Sequence, residues 1–375
     1  MPEIFYTSEQ SQYTDLFDRL RNLALTNLTA RVEEKTMVFN RPSATSRGVL
    51  TEKKVWFLTV SDGNFTGIGE CAPLTGLSPD FSTAEAMIRE VASTINEYQD
   101  WLMNLDEYPS VKFALETALL DLDNYGNKIL FPSRFTEGKE AILINGLVWM
   151  GDAEFMVKEI NQKLEEGFRV LKMKIGAVDF AQECYILEQI RAMFGPDEIE
   201  IRLDANGAFK THEVIRKLET LSSYDIHSIE QPIKAGKWDD MSDICRDSPI
   251  PIALDEELIG ITDTDEMREM LETILPAYVI LKPTLCGGLQ GAEDWIASSD
   301  ELGINWWSTS ALESNIGLNA IAQWAYTKQN PIPQGLGTGK LYQRNFDSPL
   351  YLEADLMKFD PSGKWDLSWL YEIDK

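Results

Sequence analysis

Histidine is nearly absent from this chain, with two in 375 residues, His212 and His227. His227 falls inside an apolar run three residues before Glu230, a place for a structural ring rather than a titrating base. Cysteine is scarce as well. The four present (Cys71, Cys184, Cys245, Cys286) show no CxxC spacing, which argues against a zinc site and against a disulfide framework. No apolar run approaches the length of a membrane span, and the opening Met-Pro-Glu-Ile-Phe-Tyr lacks the basic flank and apolar stretch of a secretion signal, so the cytoplasm is the expected location. Positive charge is also in short supply: 34 Lys and Arg against 61 Asp and Glu leave a formal net charge of −27. Nucleic acid and membrane surfaces would be repelled over most of such an exterior, so neither is an expected partner. A small anion is not excluded, because a few lysines and a metal can hold one inside an acidic protein.

What the chain does have is apolar content, 44% hydrophobic residues and 10% aromatics, enough for a well-packed globular protein. Its length exceeds one ordinary core, so a barrel plus a second domain is expected. Residues 1–26 form an extension in which Tyr13, Leu16, Phe17, Leu20, Leu23 and Ala24 keep helical spacing, a helix packing on its own domain. Strands follow at Leu28–Phe39 and Lys54–Val60, with Gly67-Ile68-Gly69-Glu70 beyond, an antiparallel meander. The polar segment Arg41–Gly48 between the first two is too long for a hairpin turn and reads as a lid loop. Two helices come next, the second carrying Val111, Ala114, Leu115, Ala118, Leu119 and Leu122 on one face. From Ile142 the pattern alternates strand and helix. Eight strands are expected, near Ile142–Val148, Val170–Ile175, Glu200–Asp204, Ile226–Glu230, Pro251–Asp255, Tyr278–Lys282, Ile304–Ser308 and Ile332–Leu336. The expected fold is therefore α/β, a (β/α)8 barrel over 141–339, with an α+β capping domain over 1–140 that the segment 340–375 returns to complete.

Five of those strands end on a charge: Lys174, Asp204, Glu230, Asp255 and Lys282, spaced 30, 26, 25 and 27 residues apart. The interval suits one strand–loop–helix–loop unit, so the charges fall on the C-terminal face where such barrels build active sites. One Asp at a strand end is ordinarily a helix cap or loop acceptor; three carboxylates converging on one mouth repel unless a cation neutralises them. Oxygen-only ligation by Asp204, Glu230 and Asp255 suits Mg²⁺, with Mn²⁺ as the alternative. Glu256 and Glu257 leave the third ligand open; Asp255 directly ends the apolar run, and Glu256 would face the opposite side of an extended chain. Lys172 and Lys174 share one strand face, with Lys172 one layer deeper. A lysine desolvated beside another cation and near a metal has its pKa lowered and can act as a base near neutral pH. Lys282, four strands on, faces the first pair across the mouth.

The motifs Lys172-Met173-Lys174, Asp204-Ala205-Asn206, Ile229-Glu230-Gln231-Pro232, Asp255-Glu256 and Lys282-Pro283 resemble the strand-end motifs of the enolase superfamily, in its muconate-lactonizing subgroup. Gly67–Leu74 resembles that subgroup's capping domain. The resemblance implies proton abstraction alpha to a carboxylate, with Lys174 and Lys282 as the catalytic pair and Lys172 and Asn206 beside the substrate; a Lys base with Mg²⁺ is the established chemistry of this superfamily rather than something spacing reveals. Arg41–Gly48 together with Ser308–Leu318 is most similar to the dehydratases of the subgroup that serve menaquinone biosynthesis. That implies a hydroxycyclohexadiene carboxylate bearing a succinyl arm. Ser46 and Arg47 on the lid, Ser308 and Ser310 beneath it, and Glu313 are the groups assigned to the substrate. Dipeptide epimerases of the superfamily carry Asp-x-Asp on the eighth strand, where this chain reads Gln334-Gly335-Leu336-Gly337-Thr338-Gly339, so that activity is disfavoured. A racemase using a His base is disfavoured by the positions of the two histidines. N-acylamino acid racemisation, needing the same lysines and metal, is the alternative; the five charges together count against a barrel that is only a scaffold.

Overall fold

The apolar run Val55–Val60 marks a strand buried on both faces, and the structure shows why. The structure, a computed structural model, describes residues 16–45, 48–148, 153–176 and 179–372; the side chains of 42–48 and 153 lie outside that description. Strands β1 (Thr29–Thr45), β2 (Gly48–Ser61) and β3 (Thr66–Cys71) form an antiparallel sheet in that order. Alternate residues of β2 enter two cores: Trp56, Leu58 and Val60 pack with the helices behind, while Val55 and Phe57 pack with Tyr342, Phe346, Trp369 and Leu370 of the C-terminal segment.

Before β1 lies α1 (Leu16–Arg21), which ends before the expected Leu23 and Ala24; Tyr13 falls outside the described residues. Leu16, Leu20 and Leu23 are buried in the domain's own core, and Arg19 bonds Asp123 at 3.0 Å. Where two helices were expected the chain forms three, α2 (Ala84–Ser93), α3 (Tyr98–Asn104) and α4 (Pro109–Asp123). The segment expected as a lid loop is instead largely a hairpin. Pairing is interrupted between Val38 and Ser43, then resumes through Ser43↔Leu50, Ala44↔Val49 and Thr45↔Gly48. Tyr342 and Leu341 draw Phe39 and Asn40 off the ladder through a bridge and a 2.8 Å bond, an irregularity that local composition does not reveal.

After β4 (Ile142–Leu143), the barrel is built from β5 (Gly146–Val148), β6 (Val170–Lys174), β7 (Glu200–Asp204), β8 (Ile226–Glu230), β9 (Ile252–Leu254), β10 (Tyr278–Leu281) and β11 (Asn305–Ser308), interleaved with α5 (Ala153–Glu165), α6 (Phe180–Met193), α7 (Val214–Leu221), α8 (Trp238–Asp247), α9 (Thr264–Ile274), α10 (Gly288–Leu302) and α11 (Asn315–Thr327). β5 to β11 form a seven-stranded parallel sheet in chain order. The eighth position is not a strand: Gln334 and Gly335 close the ring through single parallel bridges to Ile144 and Thr309. Pro331 and Pro333 withhold donors there, and a β-carbon on Gly335 would lie 2.4 Å from Thr309 Oγ1. After the barrel, β12 (Leu350–Glu353) and β13 (Leu356–Phe359) make a hairpin that pairs with β4, while residues on either side of it join the capping core. No helix among the described residues is long and apolar enough to cross a membrane.

Two close approaches join the elements. α4 lies directly on β3, since a β-carbon on Gly69 would sit 1.9 Å from the Ala114 carbonyl and one on Gly67 2.1 Å from that of Ala118. Two strand residues and four helical residues advance the chain by similar lengths, so both glycines meet the same helix face. Across the domains, Glu116 of α4 accepts from the Leu289 and Gln290 amides at 2.6 and 3.3 Å, and Glu70 of β3 accepts from the Ser314 and Gly317 amides, each at 2.8 Å. Buried carboxylates of the capping domain thus satisfy the free N–H groups of α10 and α11.

Gly69→Ala is expected to lower unfolding free energy by about 3 kcal/mol in urea titrations, because backbone must move apart. Burial pushes the Glu116 carboxyl up to about 7, with Lys112 and the two amides opposing and Asp294 reinforcing the shift. A carboxyl raised above its unfolded value gives stability that is complete below the unfolded pKa and is lost as pH rises through about 7. Melting of Glu116→Gln between pH 4.5 and 8 should therefore show a flatter profile than wild type, by on the order of 2 kcal/mol across that window.

Candidate active site

Parallel register aligns the strand-end charges: Lys174 is opposite Asp204, and Asp204 opposite Glu230. Asp255 and Lys282 follow β9 and β10 directly. Lys172, from the layer below, is paired with Asp204 Oδ2 at 3.0 Å and with Glu230. Lys174 Nζ donates to Asp204 Oδ2 at 2.9 Å and to Asn206 Oδ1 at 2.7 Å. Lys282 is paired with Asp255 and lies 4.0 Å from Glu230 Oε1. Asp204, Glu230 and Asp255 are each no more than 2% exposed.

Electrostatics follow from that burial. Burial alone would pull the Lys172 and Lys282 ammonium groups down, but the facing carboxylates outweigh it and hold both above their usual range. Burial would raise Asp204, yet Lys172, Lys174 and Lys282 keep it far below the usual carboxylate range. Glu230 goes the other way, pushed up by burial and by Asp204.

The three consecutive acids are set apart by how the chain turns. A single 3₁₀ turn, Glu256–Leu258, follows Asp255, so Glu256 does not face away as an extended chain would require. It reaches back to the mouth, accepting from Asn206 Nδ2 at 3.0 Å. Glu257 is turned aside to Gln231 Nε2 and the Gly236 amide, at 2.9 and 2.7 Å. Gln231 was not singled out from the sequence. It is fully buried, with φ +40°, and its Oε1 accepts from the Asp255 and Glu257 amides at 3.2 and 3.3 Å.

Above the charges lies a cavity of about 250 Å³. Lys172, Lys174, Asn206, Lys282 and Ser310 line it; Ser308 and Glu313 do not. Ser308 is buried behind the wall, its amide donating to Gln334 Oε1 at 2.7 Å, and Glu313 is buried against Thr284 and Ser310. Ser46 and Arg47 lie outside the described residues. The sequence reading missed most of the wall: Val49, Leu50, Leu74 and Leu77 from the capping domain, and Asn145, Thr309 and Leu312 from barrel loops. Asn145 Oδ1 and Thr309 Oγ1 are buried polar atoms without a hydrogen-bond partner among the described residues. No acidic side chain lines the cavity among those residues.

Residues 155–358 match the family model described as "Enolase C-terminal domain-like", and residues 39–122 match "MenC, N-terminal domain". The chain is 42% identical to an o-succinylbenzoate synthase of Desulfotalea psychrophila, over 86% of this chain and 96% of that protein. The chain belongs to the o-succinylbenzoate synthase family of the enolase superfamily. The crystal structure of MenC from the same organism superposes with a TM-score of 0.77 at 39% identity, covering 88% of this chain and 99% of that one. A more distant superfamily relative, the L-Ala-D/L-Glu epimerase of Bacillus subtilis, is 26% identical over 83% of this chain and 84% of its own.

Enolase-superfamily enzymes depend on a divalent metal. Among the described residues no three acidic, histidine or cysteine side chains converge closely enough to hold an ion, since Lys172 and Lys282 bridge the carboxylates. The donor set nevertheless fits a hard cation. It offers oxygen only, from three adjacent strand ends, and Glu230 Oε1 is buried without a hydrogen bond among the described residues.

Removing Gln231 should disturb this arrangement without touching the cavity. Gln231→Ala leaves two buried amides without their acceptor and takes one of its donors from Glu257, so a loss of about 2 to 4 kcal/mol is expected in urea unfolding. Activity should fall in parallel when assayed well below the unfolding transition.

Proposed function

We propose that the chain is an o-succinylbenzoate synthase, a dehydratase that converts 2-succinyl-6-hydroxy-2,4-cyclohexadiene-1-carboxylate to 2-succinylbenzoate for menaquinone synthesis in the cytoplasm. The observation that carries this reading beyond kinship is the wall of the cavity: three lysines and apolar side chains, with no acid to receive a cationic substrate end. Such a wall suits a ring carrying two carboxylates and disfavours a free amine.

Asp204, Glu230 and Asp255 would hold Mg²⁺. When bound, that ion supplies positive charge for the ring carboxylate and for the charge that develops on it. Lys174 Nζ takes the proton from the ring carbon bearing the carboxylate, and the electron pair moves into the carboxylate. The same Nζ then returns the proton to the departing hydroxyl, which leaves as water while the returning pair makes the ring aromatic. Lys282 remains an ammonium group and stabilises the negative charge from the other side of the ring. Asn206 holds Lys174 through the 2.7 Å bond to its Oδ1, and Lys172 beneath balances Asp204 and Glu230. The succinyl carboxylate is assigned to Ser46, Arg47 and Ser310; no step needs them.

Chelation should abolish turnover and Mg²⁺ or Mn²⁺ should restore it, read as formation of the aromatic product by absorbance; full turnover in a verified metal-free sample would sink the metal assignment. Lys174→Ala and Lys282→Ala should each lose at least about 10³-fold in kcat with circular dichroism unchanged. Near-normal kcat in either would overturn its role. Comparing kcat/KM for the dehydratase substrate with a panel of N-acylamino acids decides between synthase and racemase.

A further inference from the structure

The wall of the cavity contains one residue under backbone strain. Leu312 has φ +64°, in the left-handed region that a side chain with a β-carbon rarely adopts. Such a conformation is costly and persists only where surrounding contacts fix it. Within the loop the Leu312 amide donates to Ser310 Oγ at 3.0 Å, and the contacts to its carbonyl come from outside. Its carbonyl accepts from Lys53 Nζ at 3.2 Å and from Tyr342 Oη at 2.6 Å, and Lys53 Nζ also donates to the Ala311 carbonyl at 3.0 Å. Lys53 belongs to β2 of the capping domain, is 6% exposed, and does not line the cavity. Just beyond, Glu70 of the same sheet accepts from Ser314 and Gly317. Thr309, Ser310, Ala311 and Leu312 face the cavity between these anchors and the barrel strand that carries them.

A buried ammonium group spent on two backbone carbonyls is an expensive way to join two domains, since apolar packing would serve adhesion as well. Its distinctive effect is directional: it fixes two successive carbonyls, and therefore the peptide orientation that aims Leu312 at the cavity. We propose that Lys53 is a positioning residue that holds Leu312 in its left-handed conformation and thereby shapes the wall against which the non-reacting arm of the substrate lies. That the arm is a succinyl group rests on the function proposed above; the positioning itself does not. The lysines and carboxylates of the floor stand on other loops, so loss of Lys53 should weaken substrate binding and leave the chemical step nearly intact.

The test is a double-mutant cycle in the full-length protein loaded with Mg²⁺. Lys53→Met keeps an unbranched apolar stem and removes the donor; KM should rise about tenfold with kcat within about threefold of wild type. Leu312→Gly takes the left-handed backbone freely and deletes the side chain that Lys53 presents. In that background Lys53→Met should change KM less than about twofold, because its target is gone. Multiplying losses, or an unchanged KM in folded Lys53→Met, would overturn the proposal and leave Lys53 a simple tie between domains. Should Lys53→Met fail to fold, Tyr342→Phe removes the other donor to the same carbonyl without disturbing a buried charge; its KM should rise about threefold in the wild-type background and not in Leu312→Gly, and equal effects in both would overturn the proposal. If wild type does not dehydrate the cyclohexadiene substrate, the proposed function fails by itself. The cycle is then read from melting temperatures, where the double variant should lose less than the sum of the single losses, and additive losses would refute the positioning role.

Discussion

Mutual neutralisation of three carboxylates and three ammonium groups at the barrel mouth is the constraint on which the rest depends. Asp204, Glu230 and Asp255 are almost wholly buried, and each is met by at least one of Lys172, Lys174 and Lys282 within 3 Å. At such separations in a partly desolvated site, interactions run to several kcal/mol, so an unmatched member would be more costly than most core defects. The matching works only if five successive strands stop at the same height. A shift of β7 by one residue would turn Asp204 into the helical layer and leave Lys172 and Lys174 without their shared partner. Strand register, and hence the barrel's geometry, is coupled to the charges that the chemistry uses.

The capping domain is tied to the same end of the barrel by a second set of buried charges. Glu116 and Glu70 occupy the N-termini of α10 and α11, and Lys53 occupies two carbonyls of the loop before α11. Each satisfies backbone groups that the barrel cannot satisfy internally. The consequence is a cavity whose roof and wall are one construction. Val49, Leu50, Leu74 and Leu77 above, and Thr309 to Leu312 beside them, cannot move independently of the strands that place the lysines.

Much of this was legible in the sequence, because an apolar run ending on a charge and recurring every 25 to 30 residues is a signal that few other architectures produce. β7 and β8 begin and end where the pattern places them, and His227, beside Tyr278 and Ser228, is the structural ring its position suggests. Less visible was whatever depends on a single backbone turn. Glu256 was misplaced because the extended periodicity was carried one residue past the strand, into a 3₁₀ turn. Gln231 and Leu312 have no periodicity to reveal them; each has a positive φ, and Gln231 meets a partner more than twenty residues away. The eighth strand shows the opposite failure: Ile332–Leu336 has the composition of a strand end, yet two prolines and a crowded glycine reduce it to single bridges on either side.

That last segment also bears on how one barrel can serve different substrates. The floor supplies proton transfer, and the wall decides what can sit above it. Gly335 and Gly337 both line the cavity, but they are not equivalent. A side chain at 335 would collide with Thr309 Oγ1 at 2.4 Å and so with the bridge that closes the barrel, whereas at 337 the nearest atom, the Asn145 carbonyl, is 3.5 Å away, an ordinary contact. A β-carbon can therefore be accommodated at 337 without reopening the ring, and not at 335. The absence of acid at 337 is not imposed by crowding at the backbone. It leaves the lysines as the only charged groups facing the cavity among the described residues, which is how a chain of net charge −27 presents a site fit for a dianion.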